Sequence, residues 1–237
     1  MSMHSTSLKN TARFAGLLYL IWIITGLFAM FYIPSQIKTK GDAVTVAQNI
    51  LSNEFLFRTG IVNDIFSGTL WIIMVLVFYR LFKQVNERQA RLLVALVMVQ
   101  IPNIFFMEAF NIASLMAFKG EILKTLELAQ RQDLAMFFLK VNDYGVIILE
   151  AFWGLWLIPL AILVYKSRFL PRFLGVWLAL TGLFYLALSF TDIMMPQYRD
   201  MVLNSPIALP LELGEVGFML WLLIMGAKEQ SVTEQSS

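Results

Sequence analysis

The sequence predicts an all-α protein, a polytopic bundle of six transmembrane helices that forms one membrane domain over residues 1–226. Charged residues make up 14% and apolar residues 59% of the 237 residues, and the mean hydropathy is +0.71. Soluble domains contain about 25% charged residues, so this chain has too few polar side chains to cover itself in water. One crossing of the hydrocarbon core takes about 20 residues, which leaves room for about six crossings.

Six apolar segments define the predicted helices, and charged residues, proline or glycine flank each of them. They cover residues 14–34, 60–82, 92–117, 144–165, 173–192 and 206–226. The bilayer interior offers no water to the backbone amides, so each segment must be a helix or a strand of a closed barrel. Segments this long and this continuously apolar exclude the alternating strands of a barrel.

The first helix follows Lys9 and Arg13, as the core of a secretory signal peptide would. No charged residue occurs from Phe14 to Ile37, so the apolar run exceeds the roughly 7–15 residues of a signal-peptide core. No small-residue cleavage pattern follows the run. We therefore expect a retained transmembrane helix.

The connections between the helices predict the orientation, because short cytoplasmic loops are enriched in lysine and arginine. The connection 80–91 contains Arg80, Lys83, Arg88 and Arg91, and the connection 166–172 contains Lys166, Arg168 and Arg172. The connection 193–205 has Arg199 as its single basic residue. We therefore expect a protein of a cell membrane, the inner or plasma membrane, with both termini in the cytoplasm.

The two longer connections and the C-terminal tail are predicted outside the bilayer core. In residues 118–143, apolar residues recur near helical spacing and Glu127 precedes Arg131 by four residues, which predicts an amphipathic helix on the outer interface. A shorter helix is predicted around Ala47–Phe55 in the first loop. The polar tail 227–237 is predicted to be disordered and cytoplasmic.

Several classes of function are disfavoured by composition. The net charge is +2 and the basic residues do not gather in a stripe, so no nucleic-acid partner is expected. The chain has no cysteine, and its single histidine is His4 in the N-terminal tail. We expect no metal site, no cofactor and no catalytic residue, because the thiolate and imidazole groups of common sites are missing from the bundle. The expected partner is the lipid bilayer.

A set of residues spread along the chain resembles the pattern of the bacterial domain-of-unknown-function 4386 family. The most specific block is Lys166, Ser167, Phe169, Leu170, Pro171, Arg172, Leu174 and Gly175. The other residues are Arg13, Ala15, Gly16, Leu17, Tyr19, Leu20, Leu56, Phe57, Arg58, Gly60, Asp64, Asp143, Tyr144, Gly145, Phe152, Gly154, Leu155, Leu157, Pro159, Gly182, Tyr185, Glu215, Leu220, Trp221, Leu222 and Gly226. Ala161 departs from the pattern, which has glycine there. The resemblance implies a six-helix bacterial membrane protein and assigns no function and no site residue.

Acidic residues inside the apolar segments are the most informative side chains, because each costs several kcal/mol in the bilayer centre unless a partner or water compensates it. They are Asp64, Glu108, Glu150, Asp192, Glu212 and Glu215. At a rise of 1.5 Å per residue, Asp64, Glu150 and Glu215 lie about 6, 9 and 12 Å inside the outer boundary. Asp192 lies at that boundary. These four acids therefore share the outer half of the bundle, and the depth of Glu108 ranges from about 5 to about 15 Å, depending on where the third helix ends.

This shared depth predicts an outward-open polar cavity. Its candidate residues are Arg58, Asp64, Glu108, Glu150, Glu212 and Glu215, with Arg58 at the rim as a partner of Asp64 or Glu215. Adjacent carboxyl groups of this kind can exchange protons or bind a cation. Pro102 and Pro159 are predicted to bend the third and fourth helices, and Gly175 and Gly182 to allow close helix packing.

Three functions remain open from the sequence. The first is a protein that handles a small solute, a proton or a cation through the carboxylate-lined cavity. The second is a structural or signalling-partner protein whose acids only hold the helices together, without transport. The third, an intramembrane enzyme, is disfavoured by the missing catalytic motifs. The ligand and the oligomeric state are open.

Overall fold

The computed structural model describes residues 2–228, and the side chains of residues 8–228. Every regular element in these residues is a helix, which confirms the all-α prediction. The α-helices are α1 (Ser2–Leu27), α2 (Ile33–Gln36), α3 (Ala43–Ser52), α4 (Glu54–Phe82), α5 (Glu87–Met98), α6 (Gln100–Lys119), α7 (Leu128–Lys166), α8 (Arg172–Met194), α9 (Arg199–Leu203) and α10 (Ala208–Ile224). A π-helical segment, Phe28–Tyr32, joins α1 to α2, and a 3₁₀ turn, Pro196–Tyr198, precedes α9.

Five helical segments of the described chain are long and apolar enough to cross a membrane. They are Leu8–Gln36, Glu54–Phe82, Glu87–Lys119, Leu128–Lys166 and Arg172–Met194. Each contains one of the first five predicted helices. The sixth prediction corresponds to α10, which has 17 residues and is bent by 69° from the preceding Pro196–Leu203 segment. The chain is therefore a membrane protein with five candidate spans, or six if the bent pair counts as one crossing.

The connection before the fourth span differs from the prediction. The separate amphipathic helix expected within residues 118–143 is wrong, because its second half continues without a break into the 39-residue helix α7. Nothing stops the helix there, since no proline occurs between Leu128 and Ile158. The shorter helix predicted in the first loop is confirmed as α3, whose first turn is capped by Asp42 Oδ1 accepting from Thr45 N at 3.0 Å.

The third span is interrupted, but not at the proline. The helix breaks at Val99, between α5 and α6, and Pro102 lies in the first turn of α6. A first-turn amide has no intrahelical acceptor, so proline is tolerated at this position. Pro159, in contrast, lies inside the continuous helix α7.

The chain contacts group into two compact units. The first unit comprises the described residues of Met1–Ile21, Trp71–Met98 and Leu149–Ser237. The second unit comprises Trp22–Leu70 and Val99–Ile148. The single membrane domain stays a prediction, and each unit is described below by itself.

The first unit has an aromatic core and closely packed helices. The ring of Tyr19 on α1 lies 5.9 Å from Phe78 and 6.2 Å from both Trp156 and Phe218, measured between centroids. The predicted close packing at glycine is confirmed on α8, because a Cβ atom at Gly182 would lie 2.8 Å from a backbone carbonyl oxygen of α7. These contacts hold α1, α4, α7, α8 and α10 around one centre.

The second unit has an aliphatic core between the loop helix α3 and the ends of the longer helices. Ile50 on α3, Ile61 on α4, Leu115 on α6 and Leu139 on α7 are among its buried residues. The apolar face of α3 is thus covered by protein.

The C-terminal end of the first unit is ordered up to Lys228. Ala227 is 3% exposed, and Lys228 N donates to Phe169 O at 2.9 Å. The first two residues of the predicted disordered tail therefore pack against the connection between α7 and α8. Residues 229–237 of that prediction lie outside the described residues.

Candidate functional site

The six candidate residues are divided equally between the units. Arg58, Asp64 and Glu108 belong to the second unit, and Glu150, Glu212 and Glu215 belong to the first. Glu108, Glu150 and Glu215 are buried at 4%, 5% and 8% exposure. Asp64 and Glu212 are partly buried. The acids therefore meet other protein groups, and a single cavity shared by all six stays a prediction.

In the second unit, Asp64 on α4 and Glu108 on α6 face one another. Their carboxyl groups are close enough to interact directly, and each accepts a hydrogen bond from an asparagine amide. Asn63 Nδ2 donates to Asp64 Oδ1 at 3.0 Å, and Asn111 Nδ2 donates to Glu108 Oε2 at 3.0 Å. Two carboxyl groups in contact can share one proton.

Polar contacts around the pair hold four helical segments in place. Asn63 Nδ2 also donates to Thr25 O at 3.1 Å, which ties α4 to α1. Thr25 Oγ1 donates to Ser67 Oγ at 3.0 Å one turn further along α4. Asn142 Nδ2 on α7 donates to Met107 O at 3.0 Å, beside Glu108. Uncharged groups thus surround the carboxyl pair.

Arg58 has a different partner from the two that the sequence suggested. Its Nε donates to Glu54 Oε1 at 2.8 Å, one turn earlier on α4. Lys119 Nζ donates to the same oxygen at 3.0 Å. The expected pairing of Arg58 with Asp64 or Glu215 is wrong, because Glu54 lies at the favourable four-residue spacing on the same helix face.

In the first unit, Glu215 on α10 is bound by two tyrosine hydroxyl groups. The hydroxyl of Tyr19 on α1 donates to Glu215 Oε2, and the hydroxyl of Tyr185 on α8 also bonds to this side chain. The ring of Tyr185 packs at 6.3 Å from that of Trp153. Glu215 therefore joins α1, α8 and α10 at one buried point.

Glu150 on α7 and Asp192 on α8 share one arginine. Arg199 Nη2 lies 3.2 Å from Glu150 Oε1, and Arg199 Nη1 donates to Glu150 Oε2 at 3.4 Å. Arg199 Nη1 also pairs with Asp192 Oδ2. The two acids have side-chain exposures of 6% and 2%, while that of Arg199 is 35%. The short helix α9 thus brings one cation to two buried carboxylates.

Glu212 lies between these two clusters. It is three residues before Glu215 on α10, so the two share a helix face. Glu212 is near enough to interact electrostatically with Glu150 and with Tyr185. Its partial exposure gives this part of the first unit a route to the surface.

Two surface grooves occur among the described residues. One of about 290 Å³ lies between α6 and α7 in the second unit, with Met107 and Gly145 in its wall. The other, of about 230 Å³, lies between α7 and α8 in the first unit. None of the six candidate residues lines either groove. Among the side chains of residues 8–228, no three His, Asp or Glu are grouped as a metal site would require.

Comparison with known proteins supplies a family. The family described as "Domain of unknown function (DUF4386)" matches residues 14–226. The chain belongs to this family. No curated protein and no solved structure matches it. The match extends over all of the acids described above and confirms the resemblance found in the sequence.

In this DUF4386 protein, the sequence predicts the buried acids but not the side chains that bind them. Arg199 was counted only as a loop charge, and Tyr19 and Tyr185 only as matches to the family. A signal for Arg199 was present, since an isolated cation seven residues after Asp192 can return to it across a turn. Tyr19 and Tyr185 carried no such signal, because their distance from Glu215 in sequence hides the contact.

Proposed function

We propose that this DUF4386 protein takes up and releases a proton or a small cation at the carboxyl pair of Asp64 and Glu108. The observation that carries the proposal is that these two acidic side chains on two candidate spans interact directly with one another and have amide groups as their other partners. Acidic groups inside a membrane are expensive and commonly mark proton relays and ion pathways.

The partners of the pair favour exchange over a purely structural role. The groups that bond to the two acids are Asn63, Asn111 and each other, and none of these supplies a positive charge. A proton between two carboxylate oxygens can leave, and a cation can replace it, because carboxylate oxygens are ligands of hard cations. The asparagine amides can bond to either form of the pair.

The test is proton movement in proteoliposomes that contain a pH-sensitive dye and carry an imposed pH gradient with potassium and valinomycin. We expect wild-type protein to dissipate the gradient faster than empty liposomes. Asp64→Asn and Glu108→Gln should each reduce this rate at least about tenfold. Glu212→Gln is the matched control, since it removes one partly buried acid from the first unit, and it should retain the wild-type rate.

Two outcomes would contradict the proposal. If folded Asp64→Asn and Glu108→Gln proteins move protons as fast as wild type, the pair is not the site of exchange. If wild type is no faster than empty liposomes at any imposed gradient, and sodium or potassium gradients give the same result, the pair holds α4 and α6 together and does not exchange ions.

The second candidate function is a structural or signalling-partner protein without transport. The contact that favours it is the ion cluster of Arg199 with Glu150 and Asp192, which connects three helices. Both carboxylates of this cluster are paired with the arginine. Under either function we propose that the chain catalyses no reaction.

We propose a cell-membrane location with both termini in the cytoplasm. In the first unit, Arg13 in the N-terminal half of α1 donates from Nη2 to Ile224 O at the end of α10 at 3.0 Å, and Lys228 just beyond α10 bonds through its backbone to Phe169 in the basic connection 166–172. Because the chain has no cysteine, single substitutions test this directly. An impermeant maleimide should label Gln197→Cys on intact cells and leave Gln84→Cys unlabelled until the cells are opened. The reverse pattern would invert the proposed orientation.

A further inference from the structure

The groove of the first unit is built from small residues on two candidate spans. Ala161 on α7 and Gly175 and Ala179 on α8 line it, and Tyr165 and Lys166 lie at one end. A Cβ atom at Gly175 would lie 2.8 Å from Ala161 O, so the helix backbones nearly touch at the base of the groove. From Ile158 to Lys166 the groove follows α7 for about 12 Å.

The end of this groove is positively charged. Lys166 and Arg172 are exposed, and the Arg172 guanidinium carbon lies 5.4 Å from the centroid of the Tyr165 ring. Among residues 8–228, whose side chains are described, neither Lys166 nor Arg172 has a carboxylate partner. Helix α8 begins at Arg172 without a side-chain cap, so the positive end of its dipole adds to the two cations.

Neighbouring elements pack at this end of the first unit. The ring of Phe82, at the end of α4, stacks at 5.8 Å on Phe169 in the connection between α7 and α8. The backbone of Lys228 bonds to the same connection, and Lys9 lies against Gly226. The connection between Lys166 and Arg172 is therefore held in place by several chain segments.

We propose that this groove binds an anionic phospholipid, with one acyl chain along α7 and α8 and the phosphate between Lys166 and Arg172. The groove lies on helices that span the membrane, so its apolar part is available to an acyl chain rather than to a water-soluble ligand. Arginine and lysine are the side chains that recognise phosphate, and two cations without carboxylate partners complement the charge of one phosphodiester.

The test compares lipids added to the purified full-length protein in a neutral detergent. We expect phosphatidylglycerol to raise the Tm saturably and to remain bound in native mass spectrometry. Phosphatidylcholine with the same acyl chains should have little effect, and inorganic phosphate should not compete. The double variant Lys166→Gln with Arg172→Gln should bind phosphatidylglycerol about 30-fold more weakly, as expected for the loss of two basic contacts at a membrane surface.

Two further variants separate this site from general attraction between charges. Lys83→Gln with Arg88→Gln removes the same charge from exposed positions of the first unit and should leave binding unchanged. Ala179→Phe fills the groove and should reduce binding while the headgroup contacts remain. Equal weakening in both double variants, equal stabilisation by phosphatidylcholine, or competition by inorganic phosphate would each overturn the proposal. So would undiminished binding by Ala179→Phe.

Discussion

Both units place acidic side chains on apolar helices, but they stabilise these acids in different ways. In the first unit, Glu150 and Asp192 share the guanidinium of Arg199, and Glu215 accepts from two tyrosines. In the second unit, Asp64 and Glu108 bond to one another and to amides. Residues of the same type thus form an ion cluster in one unit and a carboxyl pair with neutral partners in the other.

The difference shows that burial of an acid does not by itself indicate its role. A carboxylate that is already paired with a cation gains little by binding a second cation. Removing the first cation leaves a buried charge without a partner. A carboxyl pair whose other partners are neutral donors can take up and release a proton. We therefore expect substitutions in the first unit to affect mainly stability, and those in the second mainly ion exchange.

The largest effect is expected at the ion cluster. Arg199→Gln should destabilise the protein by about 3 kcal/mol, the lower end of the range for breaking a buried ion pair, because the arginine is partly exposed. A fall in Tm in detergent measures it. The triple variant with Glu150→Gln and Asp192→Asn should recover much of the loss, since no charge remains. If the triple variant is no more stable than Arg199→Gln, packing rather than charge holds this cluster.

A glycine pair gives the next effect. Gly154→Ala should cost about 2 kcal/mol through overpacking, because its Cβ atom would lie 2.4 Å from Gly182 O, a backbone atom that cannot turn away. Gly26→Ala in the second unit is the matched control, with no atom within 4 Å, and should be neutral or gain about 0.5 kcal/mol. Equal Tm values for the two variants would show that α7 and α8 can separate at little cost.

A smaller loss is expected at the tyrosines. Tyr19→Phe should reduce stability by about 1 kcal/mol, the value of one hydrogen bond, because the ring contacts remain. Tyr185→Phe should behave alike. Tyr144→Phe, at an exposed position of the second unit, should leave the Tm unchanged. A neutral result at Tyr19 would mean that Glu215 finds another donor and that its tyrosine contacts do not stabilise the first unit.

The smallest effect concerns an exposed acid of the second unit, outside the membrane spans. Hydrogen bonds from the Thr45 hydroxyl and then from its backbone amide lower the pKa of Asp42 below the ordinary 3.8. The stabilisation of α3 is therefore present above about pH 3.8 and is lost as the pH falls through the lower folded value. Hydrogen exchange at Thr45 between pH 5 and 3 should show it. Asp42→Asn keeps an acceptor without a titrating group, and the same pH response there would contradict this cause.

The positions of the membrane spans could be predicted from the sequence, but the break in the third span and the length of α7 could not. The spans were readable because their apolar length is set by the bilayer, so Phe14–Ile37 and its equivalents stand out. The break at Val99 was not predictable, because no residue near it requires a break. Pro102, which was expected to bend this helix, lies in the first turn of α6. Helix α7 continues from Leu128 because no helix-breaking residue interrupts it. The spacing of apolar residues does not show whether a helix will continue.

The candidate site was predictable in its acids but not in their pairing. Asp64, Glu108, Glu150 and Glu215 could be found because a carboxyl group in an apolar run is conspicuous. Arg58 was assigned to the wrong partner, because an acid one turn away, Glu54, competes with distant ones at lower entropic cost.

The sequence alone determined that this protein is helical, that it lies in a membrane and which acids the membrane must tolerate. These properties follow from composition and from the length of apolar runs, which do not depend on how the helices pack. The tertiary structure alone decided that Tyr19 bonds to Glu215, that Arg199 joins Glu150 to Asp192 and that Asp64 meets Glu108. Such contacts depend on the rotation and register of helices far apart in the chain, which local sequence does not specify.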